Sequence, residues 1–414
     1  MNTEMLDSRL FYLDPWLKEA DVVVKTIEPV TDRRSFVFGV MLSGTIFYPE
    51  GGGQPADFGF IEDKRVIDVQ EIDGEIWHYI ELQDENDRDS LKPGSTVHLR
   101  LDWPRRLYHM QQHTGQHLLS AVLEEEYGIH TLSFHLGTEY CTIDVSAKDP
   151  IELPLMQIET QVEAWIGRDA AVLVHYCPPE DISTFKLRKN PPADEAVIRI
   201  VEIQGYDCSP CGGTHLDRTG QVRALKVLSL ERYKGHVRMY FASGAHAIEL
   251  MSKAYDDNRA AATMLGSSVG DISTRLSEVL EKSSSTEKKA KRILVQYAEA
   301  EARLASIHAG PTGILQFTLE KEDVDWGTML CKAAVSLGRP AMASCLNDST
   351  IIIQVPAKAR IPGLSKIFSE IMANLGGKGG GGEAFYRASF ASADIAKQFA
   401  IKAREVLERY QTQG

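Results

Sequence analysis

The chain has 414 residues, 43% of them hydrophobic and 25% charged, with a formal net charge of −13. That composition is that of a soluble globular protein, which argues against disorder, and the length leaves room for two to four domains. The acidic balance argues against a protein that coats nucleic acid without selectivity, because phosphate contacts draw their affinity from clustered Lys and Arg.

Local basic candidates remain at Arg105-Arg106, Lys186 to Lys189, Arg232 to Lys234 and Lys288 to Arg292, each with a solvated surface as the simpler reading. Met1 to Ser8 carry no basic n-region or apolar core, and no apolar run reaches membrane-spanning length. A cytoplasmic location with no membrane partner is therefore expected. Six cysteines in so long a chain make no disulfide framework, and Cys141, Cys177, Cys331 and Cys345 read as small buried hydrophobes.

The element pattern is that of an α+β multidomain chain. Residues 1–100 alternate β-rich runs (Asp21 to Ile27, Ser35 to Leu42, Val66 to Val69, Glu75 to Ile80, Ser95 to Leu101) with Asp-Gly and Pro-Gly turns, which predicts a small N-terminal β-barrel. Within it lies Phe47-Tyr-Pro-Glu-Gly51-Gly52-Gly53-Gln54-Pro55-Ala-Asp57. Successive glycines permit positive φ and close backbone approach, so this turn can set an amide and a carboxylate beside a site elsewhere; a tight barrel turn is the alternative. No Gly-Lys-Ser/Thr follows, which excludes a phosphate-binding P-loop.

Residues 101–247 read as a mixed α/β domain opened by a helix over His109-Met-Gln-Gln-His113-Thr-Gly-Gln-His117-Leu-Leu-Ser, with Gly115 its weak point. Residues four apart share a helix face, but His109 and His117 are separated by about 12 Å of axial rise. One ion with bonds of about 2.0 Å holds either His109/His113 or His113/His117, and spacing leaves both pairs open. A hairpin over Thr131 to Val145 places His135 on the strand face of Ser133, as a pocket-lining residue or a hydrogen-bonded core histidine. Helices near 151–167 and 179–185, a strand from Ala196 and strands from Gln221 and Val237 complete the domain. Between them Cys208-Ser-Pro-Cys211-Gly-Gly-Thr-His215 offers a thiolate and a third imidazole, and mixed Cys/His donors favour zinc.

Residues 248–310 carry apolar or small positions at Ile272, Leu276, Val279, Ala290, Ile293, Tyr297, Ala300, Leu304 and Ile307, passing through Ser283 and Thr286. Their alternating spacing predicts a helical hairpin broken near Ser283 to Thr286, or a dimerising coiled coil. Pro311-Thr-Gly starts a small C-terminal α/β domain, 311–414, with a strand at Ile351 to Val355, a helix over 363–375 and the Gly-rich loop Gly376-Gly377-Lys378-Gly379-Gly-Gly-Gly382. Such a loop suits backbone approach to a phosphodiester; a flexible linker is the alternative.

The motifs F-Y-P-E-G-G-G-Q (Phe47 to Gln54), H-T-G-Q-H (His113 to His117) and C-G-G-T-H (Cys211 to His215), in that order, resemble the freestanding alanyl-tRNA editing proteins. These are the long AlaX-type relatives of the editing half of alanyl-tRNA synthetase. The likeness extends through Val237-Arg238, Ser243-Gly244 and the Gly-rich loop, and so spans nearly the whole chain. With no aminoacylation module ahead of the motifs, it implies an editor acting in trans.

The resemblance implies zinc ligands His113, His117, Cys211 and His215, leaving His109 outside, and two catalytic residues: Gln54, the glycine-loop glutamine, and Thr131, which reads a serine hydroxyl. Cys208 makes a C-x-x-C with Cys211 and competes for the ion in this reading. It also implies that the C-terminal domain grips tRNA, with Lys378 at a phosphate between Gly377 and Gly379. The expected activity is zinc-dependent deacylation of tRNA(Ala) mischarged with Ser or Gly, in a chain that pairs as a homodimer through its helical or C-terminal region. Rival readings are a metallohydrolase of another small ester or amide, and a non-catalytic tRNA-binding zinc protein.

Overall fold

A computed structural model describes residues 8–30, 37–82, 90–137, 140–191, 196–309, 313–321, 324–359 and 362–411. Met1 to Asp7, Ser35, Phe36, Pro311 and Thr312, named above, lie outside these. The chain divides into two compact units, Met1–Arg259 and Ala260–Gly414.

In the first unit a short helix, α1 (Leu10–Leu13), precedes six strands: β1 (Glu19–Pro29), β2 (Val37–Leu42), β3 (Gly59–Ile61), β4 (Lys64–Ile72), β5 (Glu75–Glu81) and β6 (Thr96–Leu101). They close a barrel in the order β1-β2-β5-β4-β3-β6, as the alternating runs predict. Inward positions such as Val22, Val24, Val40, Val66, Ile80, Val97 and Leu99 are buried, each contributing about 1.5–3 kcal/mol of apolar burial.

The histidine segment is α2 (Trp103–Tyr127), capped by Asp102 accepting from Arg105 N and ended by Gly128 in the left-handed region. Gly115 does not weaken it. A Cβ there would run into Ser243, so the glycine is the contact that lets α2 lie against the neighbouring strand. The helix is buried nearly all round, with Leu118, Leu119, Val122 and Leu123 inside a core shared by two sheets. One sheet has the order β12 (Leu225–Tyr233), β13 (His236–Ser243), β8 (Cys141–Val145), β7 (Thr131–Leu136). The other is β11 (Asp207–Pro210), β10 (Ile198–Ile203), β9 (Val172–Cys177).

Arg106, expected on a basic patch, is instead fully buried. Its guanidinium donates to Asp57 Oδ2 at 2.9 Å, Pro15 O at 2.9 Å and Ile46 O at 2.6 Å. Asp57 Oδ2 also accepts from Tyr48 N at 2.8 Å, so one carboxylate pins the glycine-rich segment to the histidine helix.

Other elements depart from the sequence reading. The helix expected from 151 begins at Leu155 as α3 (Leu155–Arg168), because Pro150 and Pro154 delay it; 179–185 winds only as a 3₁₀ turn, Pro179–Thr184. The strand expected from Gln221 starts at Leu225, after a 3₁₀ turn and a positive φ at Arg223. His135 is exposed and neither lines the cavity described below nor sits in the core.

Helices α4 (Gly244–Leu265) and α5 (Ile272–His308) are separated at Gly266 to Asp271, not near Ser283 to Thr286, through which α5 runs unbroken. Gly266 has φ +61° and ends α4, whereas Ser and Thr carry only small helix penalties and hold the turn. The heptad seam is exposed (Ile293 61%, Tyr297 54%, Ile307 77%), and the face of α5 that packs is Ala298 and Ala302.

In the second unit β14 (Leu315–Leu319), β15 (Ala341–Cys345), β16 (Thr350–Gln354), β17 (Lys378–Gly381) and β18 (Phe385–Ser389) form a sheet ordered β14-β15-β16-β18-β17. Ile352 faces a layer with α5 and α6 (Val324–Ser336), while Ile351 and Ile353 face α7 (Leu364–Asn374) and α8 (Ala393–Gln411). The expected Gly-rich loop is largely strand: Lys378–Gly381 pairs antiparallel with β18 at the sheet edge. Glycine tolerates the extended conformation, and pairing on one side is enough to hold it.

Replacing Arg106 by Met leaves Asp57 buried without its cation. Chemical unfolding of the variant is expected to show a loss of about 3–5 kcal/mol.

Candidate metal centre

The four-residue spacing on α2 turns the His113 and His117 rings to one side, with ring centroids 5.2 Å apart. From the opposite direction β11 ends in the turn Cys211-Gly-Gly-Thr-His215. Arg199 on β10 holds that turn, donating to Cys211 O at 2.6 Å and Gly213 O at 2.9 Å, while Tyr12 OH donates to Gly212 O at 2.8 Å. Gly213 lies so close to His113 that any Cβ would overlap the ring.

One donor atom from each of His113, His117, Cys211 and His215 lies within 4.8 Å of every other. A tetrahedral ion with bonds of about 2.0–2.3 Å needs donors about 3.3–3.7 Å apart. Cys211 Sγ is 3.4 Å from His113 Nε2 and 3.3 Å from His215 Nε2, so the donors fit a divalent metal.

The outer ring nitrogens agree with this. His113 Nδ1 donates to Gln54 Oε1 at 3.1 Å, leaving its Nε2 lone pair toward the cluster, and His215 Nδ1 lies 3.2 Å from Thr114 Oγ1. His117 Nδ1 stands 3.8 Å from Asp207 Oδ2. Burial opposes ionisation of the Cys211 thiol, yet the adjoining His113 and His215 hold it well below its ordinary range. Burial lowers His113 and His215; for His117 the Asp207 carboxylate and Cys211 outweigh burial and raise it.

Gln54 is fully buried behind His113 rather than facing the cavity. The turn Gly51 to Gln54, with φ +56° at Gly52 and +86° at Gly53, delivers its amide. Gln54 Oε1 accepts from Thr214 N at 3.1 Å, and its Nε2 donates to Thr214 Oγ1 at 2.9 Å.

His109 is outside the cluster, fully buried with neither ring nitrogen partnered among the described residues; burial, with Arg105 and Arg106 nearby, lowers it to about 3. Cys208 is also outside. Odd spacing from Cys211 turns it to the other strand face, against Ile198 and Ile200, where burial pushes its thiol up to about 11.

The cluster opens on a cavity of about 740 Å³ in the first unit, lined by Tyr48, His113, Gln116, His117, Thr131 and Phe134 among others. Phe134 stacks on His113 at 5.1 Å. Thr131 Oγ1 is 2.7 Å from Ser120 Oγ, which accepts from Gln116 Nε2 at 2.7 Å. Lys378, Gly377 and Gly379 belong to the second unit, Lys378 and Gly379 on β17 and Gly377 just before it. Gln116, Ser120 and Asp207 escaped the sequence reading. Asp207 had a signal, since four residues along β11 place it on the Cys211 side.

Residues 198–240 match the family model described as "Threonyl and Alanyl tRNA synthetase second additional domain", and residues 19–105 match "tRNA synthetases class II (A)". The chain is 32% identical to the alanyl-tRNA editing protein AlaX-L of Pyrococcus horikoshii over 392 residues, covering 90% of this chain and 92% of that protein. The chain belongs to the AlaX-L family of alanyl-tRNA editing proteins. It is also 34% identical to the alanine-tRNA ligase of Thermococcus kodakarensis over 60% of this chain and 27% of the ligase. The alanyl-tRNA editing protein Aarsd1 of Rattus norvegicus is 33% identical over 55% of this chain and 54% of its own length. The match to this AlaX-L relative therefore runs through both compact units.

In metal-free protein, iodoacetamide at pH 7 is expected to label Cys211 ahead of Cys208. A thiol held low stays ionised below its ordinary range, while one near 11 stays protonated. Peptide mapping reads the order, and added metal is expected to protect Cys211.

Proposed function

We propose that this AlaX-L protein is a cytoplasmic trans-editing hydrolase that deacylates Ser-tRNA(Ala), with Gly-tRNA(Ala) as its second substrate. The observation that carries the reading is the convergence of His113, His117, Cys211 and His215, the first three of which line a cavity that Thr131 also lines. Among the described residues no helix is long and apolar enough to cross a membrane.

Zn2+ is the proposed ion, bound by those four side chains, because imidazole and thiolate donors at tetrahedral spacing suit it. When bound, zinc supplies a Lewis acid or a template for orienting the ester. Four protein donors complete a tetrahedral shell, which suits the template role.

Gln54 acts through His113 as a positioning residue, fixing its tautomer while fastening Thr214. Thr131 hydrogen-bonds the serine hydroxyl. Alanine lacks that group and forgoes this hydrogen bond, which is how the site favours serine over the smaller apolar substrate. Ser120 and Gln116 orient the Thr131 hydroxyl.

Functionally we divide the chain into a barrel with the glycine-rich turn (1–100), an editing domain (101–247), a helical region (248–310) and a tRNA-gripping domain (311–414). Lys378, flanked by Gly377 and Gly379, meets a phosphate; the side-chain-free strand around it leaves room for that approach. A homodimer forms through the exposed seam of α5 or the C-terminal domain.

Turnover of Ser-tRNA(Ala) is expected to vanish on chelation and return with zinc, while circular dichroism establishes that the fold survives. A retained fold with undiminished turnover overturns the metal role, and a zinc-loaded protein without turnover favours the non-catalytic reading. Thr131→Val is expected to lower preference for Ser-tRNA(Ala) over Ala-tRNA(Ala) by about tenfold or more in a deacylation assay; unchanged discrimination rejects the role of Thr131.

A further inference from the structure

The three imidazoles of the cluster have unlike outer partners. His113 faces an amide oxygen and His215 a hydroxyl, both neutral; His117 faces the Asp207 carboxylate. His117 Nδ1 is buried and has no hydrogen-bond partner among the described residues. Oδ2 of Asp207, at 3.8 Å, is within about 1 Å of charge-assisted hydrogen-bond range.

Asp207 is almost wholly buried, with a side-chain exposure of 3%. Burying a carboxylate is costly unless a cation meets it, and Arg188 does so. Its Nε donates to Asp207 Oδ1 at 2.7 Å, and its second contact reaches Oδ2 at 3.4 Å. Arg188 N also donates to Cys208 O at 2.8 Å, fixing the arginine to the strand that carries Asp207. Oδ1 is thus committed to the guanidinium, and Oδ2 is left chiefly for His117.

We infer that Asp207 is a positioning residue of the metal centre: its carboxylate fixes His117 as an Nε2 donor and strengthens that donor, while Arg188 offsets the burial of its charge. A carboxylate behind a ligating imidazole sets its tautomer, orients its ring and raises its basicity. The inference rests on the metal reading of the four-residue cluster.

Zinc is titrated against a chromophoric chelator with the wild-type, Asp207→Asn and Arg188→Gln full-length proteins, with circular dichroism recorded for each. Wild-type protein is expected to hold one zinc at this cluster; if it binds none, the metal reading falls and takes this inference with it. Given wild-type binding, Asp207→Asn is expected to bind about 10- to 100-fold more weakly. Arg188→Gln is expected to bind as tightly as wild-type, because the carboxylate still faces His117. Affinity of Asp207→Asn within about twofold of wild-type, or equal weakening in both variants, makes Asp207 only half of a structural ion pair and overturns the inference. If Asp207→Asn does not fold, Asp207→Glu, which keeps the charge but displaces it from His117, decides: weakened binding supports the inference and affinity within about twofold of wild-type overturns it.

Discussion

The candidate site depends on one buried amide. Gln54 has no exposure to solvent, and its side chain joins three stretches of chain: the barrel turn that carries it, the histidine helix through His113, and the C-G-G-T-H turn through Thr214. Each such hydrogen bond contributes only about 1 kcal/mol net, but a buried amide left unpaired costs about 1–3 kcal/mol. The arrangement is therefore close to all-or-none: His113 keeps its tautomer only while the two turns stay in register. Asp57 and Arg106 brace the same glycine-rich segment a few residues further on, so the barrel fixes one end of the site in two places.

Charge is distributed locally in a chain whose balance is acidic. Arg188 and Arg199 both line the cavity yet are engaged, one with Asp207 and the other with backbone carbonyls. Lys189, beside them, also lines the cavity. The net charge therefore says little about what this opening attracts.

Much of the site was legible in sequence because metal ligands need particular side chains at particular spacings, although spacing left His109/His113 and His113/His117 both open and the family resemblance chose between them. His113 and His117 four apart on a helix, and Cys211 and His215 four apart around glycines, converge as that chemistry requires. The barrel was legible for a similar reason: period-2 alternation with turn residues between strands has few other solutions. What sequence hid depends on tertiary neighbours. Arg106 next to Arg105 looks like surface charge until the distant Asp57 is known, and the bond of Gln54 to Thr214, 160 residues away, has no sequence signal. The helix break was misread because a polar Ser-Ser-Ser-Thr run resembles a turn, while the true punctuation was Gly266. The glycines before Glu383 look like a loop, although strand pairing needs backbone groups and no side chain.

The donors of the cluster are far apart along the polymer, and that separation governs when a nascent chain can first present all four of them. As the ribosome extrudes the protein, the two helix histidines emerge first and form at best a feeble two-point hold. About a hundred residues later the thiol and last imidazole arrive, and the donor set is complete only then. Translation of the second compact unit is then still ahead. Ion loading can thus precede chain release, before that unit has been completed.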